Sequence, residues 1–221
     1  MCAVHFAVRA LTEQRSGILA AENLQLRRGD RDLFDDLSFE LRPGTVVHVR
    51  GVNGAGKTSL LRILCGFSVP DDGRVLWRGR RIEHARAGYH RELAWLGHRD
   101  GLKPELNALE NLRFSCGLRR RVPESALCLE LERAGVGEVA QVPVRLLSAG
   151  QRRRVALARV FAADADIWLL DEPFTSLDTE GASLVVGEIA AHLTRGGLLG
   201  IATHRPLPEQ PAARVVTVAL G

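Results

Sequence analysis

The chain reads as an α/β protein whose parallel sheet is covered on both faces and interrupted by a helical insert. Three observations predict this class. Residues 167–170 and 198–202 are all-apolar runs of strand length, the pattern of strands buried on both sides. Residues 182–193, between them, read as a crossover helix. Residues 45–50 read as a strand that leads into a glycine-rich turn, and residues 57–65 after it place Leu60, Leu61 and Leu64 at helical spacing.

The remaining elements follow in order. Residues 24–26 and 37–41 alternate apolar and polar, with Arg28-Gly29-Asp30 as a turn between strands. Pro43-Gly44 is a second turn. Residues 69–79 are turn-rich and end in a short strand at Val75-Leu76-Trp77. Residues 102–150 read as mostly helical, punctuated by Pro104, Pro123 and Pro143, with Leu109, Leu112, Leu127 and Leu131 marking apolar faces.

Composition narrows the function classes. With 221 residues, 46% hydrophobic and 25% charged, the chain has the make-up of a globular protein with a proper core, not of a disordered, collagen-like or disulfide-stapled one. A net charge of +4 is mild and does not argue for nucleic acid. No stretch approaches the roughly eighteen apolar residues of a membrane span. Residues 1–15 lack the pattern of a signal peptide, so none is expected. Cys2, Cys65, Cys116 and Cys128 form no C-x-x-C pair and match no zinc or disulfide spacing, so reduced, mostly buried thiols in a cytosolic protein are expected. Among 30 basic residues only Lys57 and Lys103 are lysines.

Lys57 sits in the strongest motif. Gly51-Val52-Asn53-Gly54-Ala55-Gly56-Lys57-Thr58 fits G-x-x-x-x-G-K-[ST] at every fixed position, after a predicted strand and opening a predicted helix. Glycines let backbone N–H groups curl around a β-phosphate, and the helix N-terminus adds positive potential. Lys57 reaches the β- and γ-phosphates, and Thr58 offers a hydroxyl to Mg²⁺. The expected nucleotide-binding run is Gly51 to Thr58 together with Ser59. A plain glycine-rich turn with a chance lysine is the alternative, and the flanking elements count against it.

The apolar run 167–170 delivers Asp171 and Glu172 to the carboxyl end of a strand, the edge where α/β sheets bind ligands. Asp171 is expected to hold Mg²⁺ and Glu172 to act as general base on the attacking water. Alone, two solvated acids would explain this pair; beside the phosphate loop they take separate roles. Leu147-Ser148-Ala149-Gly150-Gln151 is open to two readings. Ser148 and Gln151 have capping-box spacing, which starts a helix. The same capped start is also an anion site where a γ-phosphate could dock.

L-S-x-G-Q resembles the signature of the ATP-binding cassette (ABC) family. The order of phosphate loop, signature, Asp-Glu-Pro, Ser176-Leu177-Asp178 and late His204 resembles that family's nucleotide-binding domain over nearly the whole chain after about residue 17. The resemblance implies a P-loop NTPase fold with a RecA-like core, an antiparallel β subdomain and an inserted helical subdomain at about 98–154. It implies a nucleotide-binding domain at 17–221, preceded by an extension at 1–16 that is either disordered or a misassigned start. It also implies a head-to-tail homodimer, with Ser148 and Gly150 of one copy on the γ-phosphate held by Lys57 of the other. Asp178 then lies at the seam and His204 contacts the γ-phosphate. The family's glutamine near Mg²⁺ and water is here His98, and its adenine-stacking aromatic is here Arg28.

Residues 96–112, with Leu147 to Arg153, further resemble the CcmA family, the ATPase subunits of c-type cytochrome maturation. This implies ATP and Mg²⁺ as cofactors and a separate CcmB-like membrane-spanning subunit, docked around residues 98–111. It also implies other cytochrome c maturation proteins as partners, no nucleic acid, and a peripheral place on the cytoplasmic side of the inner membrane. Haem export and ATP-driven release of a haem-loaded chaperone both stay open. So do the ATPase of another ABC exporter and a non-transport ABC ATPase; a P-loop kinase would need no signature. The bland expectations are a solvated helix face for most of Arg152, Arg153 and Arg154, and a surface turn for Arg119, Arg120 and Arg121. His48 is expected as a satisfied core histidine, and Trp95, Trp168 and Trp77 as packing residues.

Overall fold

A computed structural model describes residues 18–118, 121–205 and 214–220. The expected extension at 1–16 lies outside them, as do Cys2, Arg119 and Arg120. The chain opens with a hairpin, β1 (Leu19–Arg28) and β2 (Arg31–Leu41). Gly29 turns it at φ 59°, a left-handed conformation that glycine adopts without a Cβ penalty. β3 (Thr45–Arg50) feeds the glycine-rich loop, and α1 (Lys57–Leu64) leaves it. β4 (Asp72–Trp77) and β5 (Arg80–Arg81) follow, then α2 (Arg86–Arg91) and β6 (Leu93–Leu96). The helical insert holds α3 (Ala108–Gly117) and α4 (Glu124–Arg133), and α5 (Ala149–Phe161) returns the chain to the sheet. β7 (Ile167–Asp171), α6 (Thr179–Thr194), β8 (Leu198–Ala202) and β9 (Arg214–Ala219) complete it.

The strands form two sheets. Five parallel strands run in the order β6-β7-β8-β3-β9, and four strands in the order β2-β1-β4-β5 pair antiparallel. Every residue of β7 and β8 is buried, as their unbroken apolar character predicts. Gly200 allows this packing, because a Cβ there would stand 2.6 Å from Leu169 Cδ2. α1 puts Leu60, Leu61, Ile63 and Leu64 between the parallel sheet and the antiparallel one. α5 and α6 cover the other face with Ala156, Leu157, Val160, Val185 and Ile189. Each of the leucine, isoleucine and valine side chains among these, fully buried, contributes about 1.5–3 kcal/mol.

α5 also joins the insert to the sheet. Its Val155 and Ala158 pack on Leu109 and Leu112 of α3 and on Leu127 and Leu131 of α4. Asn107 caps α3 in a full capping box with Glu110. The buried Asn111 amide accepts from Lys103 N and donates to the carbonyls of Lys103, Leu106 and Asn107, which pins the loop before α3.

Strand β6 was not foreseen: its four residues are too few for periodicity to separate strand from helix. Strand β9 was missed as well, for it alternates only weakly at the sheet edge. The crossover helix begins at Thr179 rather than 182, because Asp178 accepts a hydrogen bond from Gly181 N and so caps it earlier. Cys65 and Cys116 are buried and Cys128 half-buried, all as free thiols. His48 is buried with Nε2 3.1 Å from Thr203 O, and burial holds its pKa below the usual histidine range.

Candidate functional site

The glycine-rich loop leaves β3 at the carboxyl edge of the parallel sheet. Gly51 (φ 157°), Gly54 (φ 82°) and Gly56 (φ 101°) take conformations that side chains rarely adopt. A Cβ on Gly51 would also stand 2.5 Å from Leu220 O. Val52, Asn53 and Gly54 face solvent while Ala55 is buried beneath them, so the loop is anchored from below and open above. Gly56 stands at the N-cap of α1 with no side-chain cap. The first N–H groups of this helix therefore have no capping side chain. Lys57 Nζ donates to the carbonyls of Gly51 (2.7 Å) and Val52 (3.1 Å), folded over its own loop. Ser59 is half-buried one position further on.

Two side-chain contacts close the edge. Thr58 Oγ1 donates to Asp171 Oδ2 at 2.7 Å, across 113 positions of sequence. Asp171 is 2% exposed. Burial raises its pKa, opposed by the Thr58 hydroxyl and seconded by the neighbouring Glu172 charge; His98 and Arg153 pull it down. His204 Nδ1 donates to Glu172 Oε2 at 3.0 Å. The histidine follows β8, and parallel pairing sets Asp171 opposite Ala202, which brings the two ends together. Glu172 itself is left-handed, at φ 47°, with its N–H bonded to Ala202 O at 2.8 Å. His98 is exposed, just beyond β6, and its charge bears on Asp171. These residues share one sheet edge because β3, β6, β7 and β8 all point their carboxyl ends there.

The serine-capped helix forms a separate cluster. Ser148 Oγ accepts from Gln151 N at 3.2 Å while Gln151 Oε1 accepts from Ser148 N at 2.9 Å, the full capping box. A Cβ on Gly150 would stand 3.1 Å from Ser176 O, so this helix and the loop before α6 approach closely. Arg154 donates to Asp178 Oδ1 at 2.7 Å. The Gly181 N–H and then Arg154 lower the pKa of that carboxyl. Among the described residues no hydrogen bond links residues 148–151 to residues 51–58. Arg28 lies exposed at the end of β1, donating to Arg27 O at 3.5 Å.

One expectation is overturned. Arg152, Arg153 and Arg154 do not form a solvated face. Arg153 is 3% exposed and bonded on every N–H, while Arg152 donates to Leu147 O at 2.6 Å. Three consecutive arginines point three ways around a helix, each about 100° from the next. A run of charge in sequence is therefore no single face. No signal in the sequence marked Arg153, since its partners come from two distant loops.

The sequence profile of the ABC transporter family matches residues 34–175. The chain is 47% identical over 192 residues to the cytochrome c biogenesis ATP-binding export protein CcmA of Escherichia coli strain K12. That alignment covers 86% of this chain and 91% of the relative. The counterpart in Shigella flexneri matches to the same extent, 47% over 192 residues. Among solved structures, a dimeric bacterial ABC transporter cassette superposes with a TM-score of 0.78 at 21% identity, covering 91% of this chain and 94% of that one.

Proposed function

The chain belongs to the ABC transporter family, whose ATP-binding, ATP-hydrolysing cassette it carries, and from that premise we propose that it is the ATPase subunit of a membrane complex for c-type cytochrome biogenesis. The observation that carries the chemistry is the joining of Thr58 to Asp171 and of Glu172 to His204 at one sheet edge. The likeness to CcmA over 86% of the chain carries the pathway.

ATP is held by residues 51–59. Lys57 exchanges its two carbonyl acceptors for the β- and γ-phosphate oxygens, a stronger, charge-assisted pairing. The Thr58 hydroxyl and the buried Asp171 carboxylate are hard oxygen donors of the kind Mg²⁺ takes. A carboxylate kept short of compensation by burial also favours a cation beside it. Once bound, the ion offsets phosphate charge. Glu172 accepts the proton of the attacking water, and His204 orients that carboxylate from the far side before turning to the γ-phosphate. His98, at the position where the family carries glutamine, orients the water from the loop after β6. Arg28 stacks on the adenine as a guanidinium plane.

The site is completed by a second copy. Ser148, Gly150 and Gln151 present a capped helix start to the γ-phosphate of the twin, and Asp178 lies at the seam. ATP shifts the pair toward closure because it touches both copies only when they are closed. No helix among the described residues is long and apolar enough to cross a membrane. By the likeness to CcmA, the movement passes to a CcmB-like membrane-spanning subunit docked around residues 98–111, on the cytoplasmic side of the inner membrane.

A complementation experiment tests this. Lys57→Ala lacks one half of each site and Ser148→Arg the other, so each variant alone is inactive. Mixed, they restore one intact site per hetero-pair, about a quarter of wild-type turnover for random pairing of two-fold dimers. No recovery on mixing would sink the crossed arrangement. Glu172→Gln in the same assay is expected to bind ATP and lose most hydrolysis.

A further inference from the structure

The guanidinium of Arg153 is the most heavily bonded buried charge in the described structure, and the chemistry proposed above gives it no task. Its Nη1 donates to Gly97 O at 3.0 Å and to Asp100 Oδ1 at 3.0 Å. Its Nη2 donates to Asp171 O at 2.9 Å and Glu172 O at 2.6 Å, and its Nε to Pro173 O at 3.4 Å. Arginine has five N–H donors in a rigid planar fork, and all of them are engaged. Four of the acceptors are backbone carbonyls. Their positions, not merely their side chains, are thus tied to this group.

These carbonyls belong to the two segments that carry the water-handling residues. Three run from the last residue of β7 into the turn where Glu172 is held at φ 47°. A non-glycine residue keeps such a conformation only where its surroundings over-determine it. The bond from Arg153 to the Glu172 carbonyl is the shortest of the set. The other two acceptors open the loop after β6, on either side of His98.

We infer that Arg153 is a positioning residue for hydrolysis: it locks the Glu172 turn and the His98 loop into one frame. It touches neither nucleotide nor water and acts through Glu172. The inference rests on the reading of Glu172 given above. Lysine cannot replace it, because an ammonium has three donors and no plane.

The test is steady-state hydrolysis by the full-length chain at saturating magnesium-ATP, with nucleotide binding and melting temperature measured alongside. Arg153→Lys is expected to lower kcat on the order of 100-fold, the scale of a misplaced catalytic group, with the KM for ATP within about threefold. Added to Glu172→Gln, it is expected to cost nothing further, since both act through one carboxylate. Leu127→Ala, in the core of the insert, serves as a control chosen for loss of stability alone. Unchanged kcat in Arg153→Lys, a rise in KM alone, multiplying losses in the double variant, or an equal fall of kcat in Leu127→Ala would each overturn the assignment. Should Arg153→Lys yield no folded protein, Asp100→Asn weakens the same clamp from its half-buried end. It is expected to lower kcat about fivefold in the wild-type background and not at all in Glu172→Gln; no change in the former defeats the inference. Full turnover in Glu172→Gln alone would instead defeat the proposed base, a separate reading of the same plate.

Discussion

In the parallel sheet, β7 and β8 have no exposed residue. In the antiparallel sheet, β2 sets Phe34, Phe39 and Leu41 inward and Asp35, Ser38 and Glu40 outward. The antiparallel sheet also shifts register along the β1–β2 pair, where Asn23 and Asp36 take positive φ and bond to each other. The parallel pairs run without a break. In this sheet, covered on both faces, β7 carries no charged side chain before Asp171 and β8 carries none at all. Its chemistry is pushed to the last residue and beyond, and Asp171, Glu172 and His204 stand there. A sheet with one open face tolerates irregularity and carries its charges in water.

This contrast predicts how each sheet responds to change. The largest effect is expected from Leu169→Ala in β7, fully buried, at about 2–5 kcal/mol of unfolding free energy. Chemical denaturation measures it, and a loss under about 1 kcal/mol would mean that the sheet can collapse around the gap.

Next comes acid sensitivity through His192, which stacks on Trp168 at 4.0 Å and covers the parallel sheet from α6. Burial lowers its pKa to about 4, against a weaker upward pull from its bond to Leu198 O. Between about pH 6.5 and 4 the unfolded chain binds a proton there that the folded one refuses, so stability falls as pH falls through that window. The full effect is about 3 kcal/mol. His192→Phe keeps the stacking and is expected to flatten the slope of melting temperature against pH; an unchanged slope would assign it elsewhere.

The smallest effect is expected in the antiparallel sheet. Arg74→Gln breaks the pair with Glu22, in which Arg74 is exposed and Glu22 half-buried at the surface. The cost is expected under about 1 kcal/mol and smaller still in high salt. A larger, salt-independent loss would show that this face is less open than its exposure indicates.

Much of the fold was legible because the same physics acts locally. Apolar runs marked β7 and β8, leucine spacing marked α1, and the glycine loop announced the turn between β3 and α1. Ser148 and Gln151 disclosed their capping box by spacing alone. Arg153 was illegible for a definite reason. Its sequence neighbours are two more arginines, and only the packing of α5 against β6 and β7 selects which one goes inside.

The sequence by itself determined β3, β7, β8, α1 and the glycine-rich turn between β3 and α1, though not β6 or β9, since propensity and periodicity depend on near neighbours. Tertiary structure decided which side chains meet. The bonds from Thr58 to Asp171, from Glu172 to His204 and from Arg153 to its five acceptors each join distant positions. Periodicity states which face a residue occupies, but a hydrogen bond needs its partner within about 3 Å, and only the packed strand order supplies that distance.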